Sequence, residues 1–209
     1  MTAARSSSPT DHPRPGLRER KKSRTREAIR SAAYDLIEEQ GYDAATVDLI
    51  ADRAEVSPST VFRYFPTKED IVLGDEHGDL LLAELRARPA DEPWAQSLRQ
   101  AIGAAAVLGA AGDPRVARLR ARLAADVPAV RSRMRETMAD TGRLLCRAVA
   151  ERTGLPPDGL EARVHAMSLA GALMEVALYW AERGHEDDLH DLLDRAVTAL
   201  EHGLPTENH

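Results

Sequence analysis

Cysteine and lysine are nearly absent from this chain. Cys146 is the one cysteine in 209 residues, so no disulfide can close within the chain and no multi-cysteine metal site can be assembled. A lone thiol fits a reducing cytosol. Three lysines, Lys21, Lys22 and Lys68, stand against 25 arginines. With abundant alanine, that bias points by codon usage to a G+C-rich bacterial genome. No glycine-rich loop has phosphate-cradling spacing, and no convincing period-two run signals a strand. Met1 to Pro15 is rich in proline and serine and lacks an apolar centre, so it does not read as a signal peptide. The most apolar run, Met167–Ala181, carries one charge, Glu175, and reads as too short and interrupted to span a membrane. His185-Glu186-Asp187-Asp188-Leu189-His190 superficially resembles a zinc-protease helix. Its histidines are five apart, where four are needed to place both imidazoles on one helical face. Catalysis, a metal and a cofactor are therefore not expected, and Cys146 reads as core.

What is present is charge of opposite sign at the two ends. Apolar residues make up 43% and charged residues 30%, the mark of a globular chain. The net charge of −6 argues against nucleic acid, but its distribution reverses that. Residues 1–34 hold nine basic and three acidic residues, a net +6, leaving −12 for the rest. A basic end on an acidic body is the asymmetry expected when one end alone meets phosphate.

The stretch behind that basic end, residues 45–71, reads ATVDLIADRAEVSPSTVFRYFPTKEDI. Thr46 can cap a helix whose apolar positions, Val47, Ile50, Ala51 and Ala54, recur at helical spacing. Glu55-Val56 breaks it. Ser57-Pro58 restarts it with a capping hydroxyl and a proline at the first helical position. The second helix, Pro58 to Tyr64, is expected to send Val61, Phe62 and Phe65 to the core and Ser59, Thr60, Arg63 and Tyr64 outward. Pro66 ends it, and Thr67 with Asp70 forms a capping-box start for the next helix. Helix, tight turn and short helix make a helix-turn-helix, whose second helix enters the major groove.

TVDLIADRAEVSPSTVFRYFPTKEDI resembles the DNA-binding signature of the TetR family of bacterial transcriptional regulators. There a Thr precedes helix two, Ala-x-x-Ala-Gly-Val-Ser turns into the recognition helix, and Tyr-Phe-x-x-Lys-x-x-Leu follows. The chain departs from the pattern at Glu55, where the family usually has Gly, and at Ile71, where it has Leu. The resemblance implies phosphate contacts from Thr46, Tyr64 and Lys68, which position without reading sequence. Ser57, Ser59, Thr60 and Arg63 then lie at or near the groove. Ser57 is either a contact or only a cap, Arg63 meets either a guanine edge or phosphate, and Thr60 can meet a base edge or a thymine methyl.

The expected fold class is all-α: an N-terminal three-helix helix-turn-helix DNA-binding domain and a C-terminal helical ligand-binding and dimerisation domain. Residues 1–16 read as a disordered arm, either a solvated tail or a source of further DNA contacts. Residues 17–66 form the DNA-binding domain. The first helix, Leu17 to Gln40, buries Ile29, Ala32, Ala33, Leu36 and Ile37, and its basic start RERKKSRTR is either solvated or laid along DNA. A connecting helix is expected over 67–88, and the ligand-binding and dimerisation domain over 89–209.

In that body, helical periodicity recurs from Trp94, from Asp113-Pro114, from Asp126-Pro128, from Leu160 and from Asp187. A helix apolar all round must be covered all round. The last two helices of TetR-like regulators usually form a four-helix dimer interface, which here implicates Leu173, Trp180, Leu189, Leu193, Val197 and Leu200. Met134, Met138 and Met167 either line an adaptable pocket or simply pack in the core. Glu175 either meets a polar group of a ligand or pairs with an arginine. The body weakly resembles regulators sensing acyl-CoA-like or other long apolar molecules. The expected function is thus a cytoplasmic, nucleoid-associated regulator, a homodimeric repressor on a palindromic double-stranded operator, released by a small apolar effector. An effector-independent architectural DNA-binding protein is the alternative.

Overall fold

The computed structural model describes residues 17–74, 77–109 and 113–203, so the proposed arm of residues 1–16 lies outside the described residues. Among them are ten α-helices and no strand. The head comprises α1 (Leu17–Gln40), α2 (Val47–Arg53), α3 (Pro58–Tyr64) and α4 (Lys68–Leu73). The body comprises α5 (His77–Ala87), α6 (Trp94–Gly109), α7 (Pro114–Asp126), α8 (Pro128–Thr153), α9 (Leu160–Glu182) and α10 (Leu189–His202).

The head core follows the periodicity. Ile29, Ala33 and Ile37 of α1 meet Ile50 and Ala51 of α2, Val61 and Phe65 around α3, and Ile71 and Val72 of α4. Leu119 and Leu123 of α7 and Val130 of α8 complete the same cluster, so body helices help close the head. Each such large side chain withdrawn from water contributes about 1.5–3 kcal/mol before the entropy cost of ordering it.

The segment 67–88 is two helices rather than the expected one. Gly74 ends α4 with φ 70°, its N–H still bonded to the Asp70 carbonyl. Glycine takes that left-handed region without a Cβ penalty. A side chain there would also press on Arg30, whose guanidinium lies 3.2 Å from where a Cβ would stand.

In the body, Leu81, Leu82 and Leu85 of α5, Leu98 and Ile102 of α6, Leu145 of α8, Leu169 of α9 and Val197 of α10 share one core. A satellite cluster joins Ala121 of α7 to Val176 and Trp180 of α9 and Leu192 of α10. Asp113 caps α7 as its sequence suggests, accepting from the Arg115 N–H. Asp126 is the last residue of α7 and not the cap of α8, which starts at Pro128 without a side-chain cap. Arg99 of α6 ties down α10 through Asp194 (2.6 Å) and Glu201 (3.0 Å).

Helix α9 overturns one expectation. With 23 residues it is long and apolar enough to cross a membrane by length and composition. Its packing against α7, α8 and α10 makes it instead a structural helix of the body. Still, only 28% of its most apolar stretch is buried within the protomer. One face is left uncovered.

Candidate nucleic-acid interface

Three caps set the geometry of the head. Thr46 caps α2, its hydroxyl accepting from the Leu49 N–H at 3.3 Å. The turn after α2 runs through Glu55 at φ 54°, and the Val56 N–H closes it onto the Ala51 carbonyl at 3.0 Å. The departure from Gly at this position therefore leaves the turn intact, at a backbone cost of about 1–2 kcal/mol. Ser57 then caps α3, accepting from the Thr60 N–H at 3.2 Å, and its hydroxyl lies 2.9 Å from those of both Ser59 and Thr60. Ser57 is thus a cap in this structure. The capping box at Thr67 and Asp70 starts α4.

Within α3, Val61 is fully buried and Phe65, just beyond its end, is 2% exposed. Phe65 also lies under two guanidinium groups of α1, Arg26 at 4.7 Å and Arg30 at 5.3 Å from the ring centroid. Phe62, expected in the core, is instead 54% exposed. The reason is angular. Positions 61 and 65 stand four apart on one side of a helix, and position 62 turns about 100° away from 61. The outward set is therefore Ser59, Phe62 and Arg63, with Thr60 half-buried beside them. Arg63 Nη2 reaches the Thr60 hydroxyl at 3.5 Å, and its guanidinium lies 5.4 Å from the centroid of the Tyr64 ring. Tyr64 is half-buried and packs on the head core.

Lys68, the first residue of α4, is held rather than free. Its Nζ donates to the Tyr42 carbonyl at 2.8 Å and sits 3.8 Å from the Tyr42 ring centroid. Partial burial pushes the ammonium pKa down. The Tyr42 hydroxyl in turn donates to Glu69 at 2.5 Å, and burial together with that carboxylate pushes the phenol pKa up.

Three arginines of the body grip α1 and α4, contacts that periodicity alone does not single out. Arg120 of α7 donates to the Tyr34 hydroxyl at 2.6 and 2.8 Å, and that hydroxyl donates to the Val72 carbonyl at 3.1 Å. Arg133 of α8 donates to Asp70 at 2.7 Å, the same carboxylate that completes the α4 capping box. Arg115 of α7 bridges Asp35 and Glu38 of α1. The basic face of α7 is thus partly a docking surface for the head.

A seven-residue helix carrying a hydroxyl, a phenyl and a guanidinium outward, with Arg26 and Arg30 of the basic helix α1 over the adjoining Phe65 ring, has the chemistry of a groove-reading element. Residues 29–74 match the family model for bacterial regulatory proteins of the tetR family, and residues 92–205, more than half the chain, match the MftR C-terminal domain of the same class. The chain belongs to the TetR family. It is a DNA-binding transcriptional regulator, and its relatives are regulators rather than enzymes.

Among curated relatives of this TetR-family chain, the transcriptional regulator TcmR of Streptomyces glaucescens is 42% identical over 101 residues, 47% of this chain and 44% of that protein. YdeS of Bacillus subtilis is 49% identical over 49 residues, 23% of this chain and 25% of its own length. The chain therefore spans less than half the length of these relatives. Similar folds include the fatty acid degradation regulator FadR of Bacillus halodurans (TM-score 0.58, 23% identity, 86% of this chain and 99% of that one). Another is FadR of Thermus thermophilus, solved with lauroyl-CoA (TM-score 0.58, 24% identity, 88% and 97%).

The TetR-family body treats its candidate residues less evenly than the head. Met134 packs on the head core, Met138 on the main body core, and Met167 is 48% exposed. The sulfur of Met167 occupies the space that a Cβ at Gly142 would fill, which brings α8 and α9 close. The three methionines are thus shared among separate surroundings. Glu175 is exposed and lines an open groove of about 1010 Å³ along α9 and α10, together with Ala172, Tyr179, Ala199 and Leu200.

Of the interface candidates, Leu200 is 44% exposed on that groove, whereas Trp180 and Val197 are buried inside the protomer at 7% and 4%. Leu173, Leu189 and Leu193 are half-buried against the body's own clusters. The apolar stripe of α10 is therefore largely satisfied by α6 and α9 of the same chain. An amphipathic stripe shows that a face is covered, and not by which chain.

Proposed function

We propose that this TetR-family regulator is a repressor that binds a palindromic operator as a homodimer and is released by a small apolar effector. The observation carrying the DNA side is α3, capped by Ser57 and anchored by Val61 and Phe65, with Ser59 and Arg63 outward. Arg63 contacts a guanine edge, with Ser59 and Thr60 beside it. Thr46, Tyr64 and Lys68 hold the flanking phosphates, and Ser57 serves them as the cap that orients α3.

Dimerisation is supported by the uncovered face of α9 and α10, where Ala172, Tyr179, Ala199 and Leu200 form an apolar groove edged by Glu175, Arg195 and His202. Two heads related by a twofold axis read half-sites about one helical turn, roughly 10 bp, apart. Affinity then depends on head spacing, and a ligand that prefers one spacing shifts the balance by its differential affinity. The Arg120–Tyr34–Val72 and Arg133–Asp70 contacts supply a mechanical link from body to α4.

Acyl-CoA-like molecules are the first effector class to test, because FadR structures that share this fold were solved with lauroyl-CoA and stearoyl-CoA. The test is fluorescence anisotropy of the intact protein on a selected operator, titrated with acyl-CoAs of increasing chain length. Release that strengthens with chain length supports the reading. DNA binding indifferent to every acyl-CoA discards that ligand class and keeps the regulator.

A further inference from the structure

Phe62 takes no part in the head core. It stands at the middle of α3 and is 54% exposed, while the aromatic ring three residues on, Phe65, is 2% exposed. Its neighbours on the outward face are Ser59, one helical turn before it, and Arg63, next to it. On the outward face of α3 itself both neighbours are polar, so within that helix the phenyl ring is the one apolar group turned outward. It is also firmly placed. Val61 and Phe65 pin the helix from below, and the Ser57 cap holds its start.

The major groove offers apolar surface chiefly at the C5-methyl group of thymine. Resting on the DNA-binding reading above, we propose that Phe62 is a specificity-determining residue whose ring packs on a thymine methyl in each operator half-site, beside the base edge met by Arg63. Phosphate contacts give no such discrimination, since the backbone is the same at every base. The hydroxyls of Ser59 and Thr60 accept several base edges, and the Thr60 methyl is half-buried, so the larger and more exposed Phe62 ring carries most of the preference for thymine.

The test starts from an operator selected by the intact protein from random duplexes. Each thymine is then replaced in turn by deoxyuridine, which keeps the hydrogen-bonding edge and removes only the methyl group. With the wild-type protein, one position per half-site should weaken binding by about fourfold, the worth of one buried methyl-sized group. Replacing both half-sites should weaken it by about 15-fold on the same scale. Phe62→Ala should bind the thymine and deoxyuridine operators equally, and Phe62→Leu should keep part of the discrimination.

Wild-type protein indifferent to every thymine replacement would overturn the proposal, and so would a Phe62→Ala protein that discriminates as well as wild type. The scan on wild-type protein decides the matter even where Phe62→Ala binds no DNA. Selection that enriches no operator would instead remove the DNA-binding reading itself, and this inference with it.

Discussion

The head and the body close their cores differently. In the head, Ile29, Ile50, Val61, Ile71 and Val72 have no exposed surface, and Phe65 has 2%. In the body, the longest apolar stretch, on α9, is 28% buried, and Val164, Met167, Tyr179 and Leu200 stand exposed around it. A DNA-reading unit must hold a short helix to a fraction of an ångström, so its own chain encloses it. On the proposed reading, the body meets a second copy and keeps part of its apolar surface for that encounter. The difference teaches where single substitutions should unfold the protein and where they should only take assemblies apart.

The largest expected effect tests the closed side. Phe65→Ala removes a buried ring shared by α1, α3 and α4 and should cost about 3–5 kcal/mol. Chemical denaturation followed by circular dichroism reads that loss, and operator binding should disappear with it. Phe62→Ala, three positions away on the outward face, should change stability by about 0.5 kcal/mol or less. Equal losses from the two would mean that the head does not distinguish an inner from an outer aromatic.

The open side is tested by a pair on one helix. Val197→Asp places a carboxylate in the body core, with a cost of at least about 3 kcal/mol. It should give a partly unfolded protein. Leu200→Asp, one turn onward and 44% exposed, should leave the melting of the protomer nearly unchanged and shift sedimentation from dimer to monomer. A Leu200→Asp protein that remains dimeric would move the interface away from α9 and α10.

How much of this was legible in the residues follows the same division. The helices α1 and α3 end where glycine, serine and proline say they should, and the left-handed turn at Glu55 sits where the motif calls for glycine. Phe62 departs from its expected place in the core because apolar character alone ignores angle, and 61, 62 and 65 cannot all face one way. The break at Gly74 is hidden in the sequence because the apolar rhythm resumes beyond it. Contacts such as Arg120 with Tyr34, 86 positions apart, and Arg133 with Asp70, 63 apart, leave no periodic trace. On α10 the stripe was visible, but Leu193 and Val197 satisfy it within the chain.

The link between the two regions gives a smaller effect. Arg133 is 38% exposed and Asp70 15%, so Arg133→Ala should cost about 1 kcal/mol or less of stability. Its consequence should fall on communication. Asp70 keeps its capping box, α4 remains formed, and operator affinity without effector stays near wild type. Release by an effector should become weaker, read as a reduced shift in operator affinity at saturating ligand. Unchanged release would assign the coupling to the contacts of α7, Arg120 with Tyr34 and Arg115 with Asp35 and Glu38.

The smallest expected effect is a gain, and it concerns Glu55, the one non-glycine residue at positive φ among the described residues of the head. Glu55 holds φ 54°, a region that disfavours side chains by about 1–2 kcal/mol. Glu55→Gly removes that cost, but glycine also frees the unfolded chain and returns about 0.5–1 kcal/mol. The net stabilisation should be about 1 kcal/mol or less, a rise of a few degrees in the melting temperature of the head. The turn itself is closed by backbone, from the Val56 N–H to the Ala51 carbonyl, so α2 and α3 should keep their relation and the operator its affinity. A loss of stability or of DNA binding would show that the Glu55 side chain contributes more than its backbone conformation costs, and the head would then owe its geometry to a carboxylate as well as to its caps.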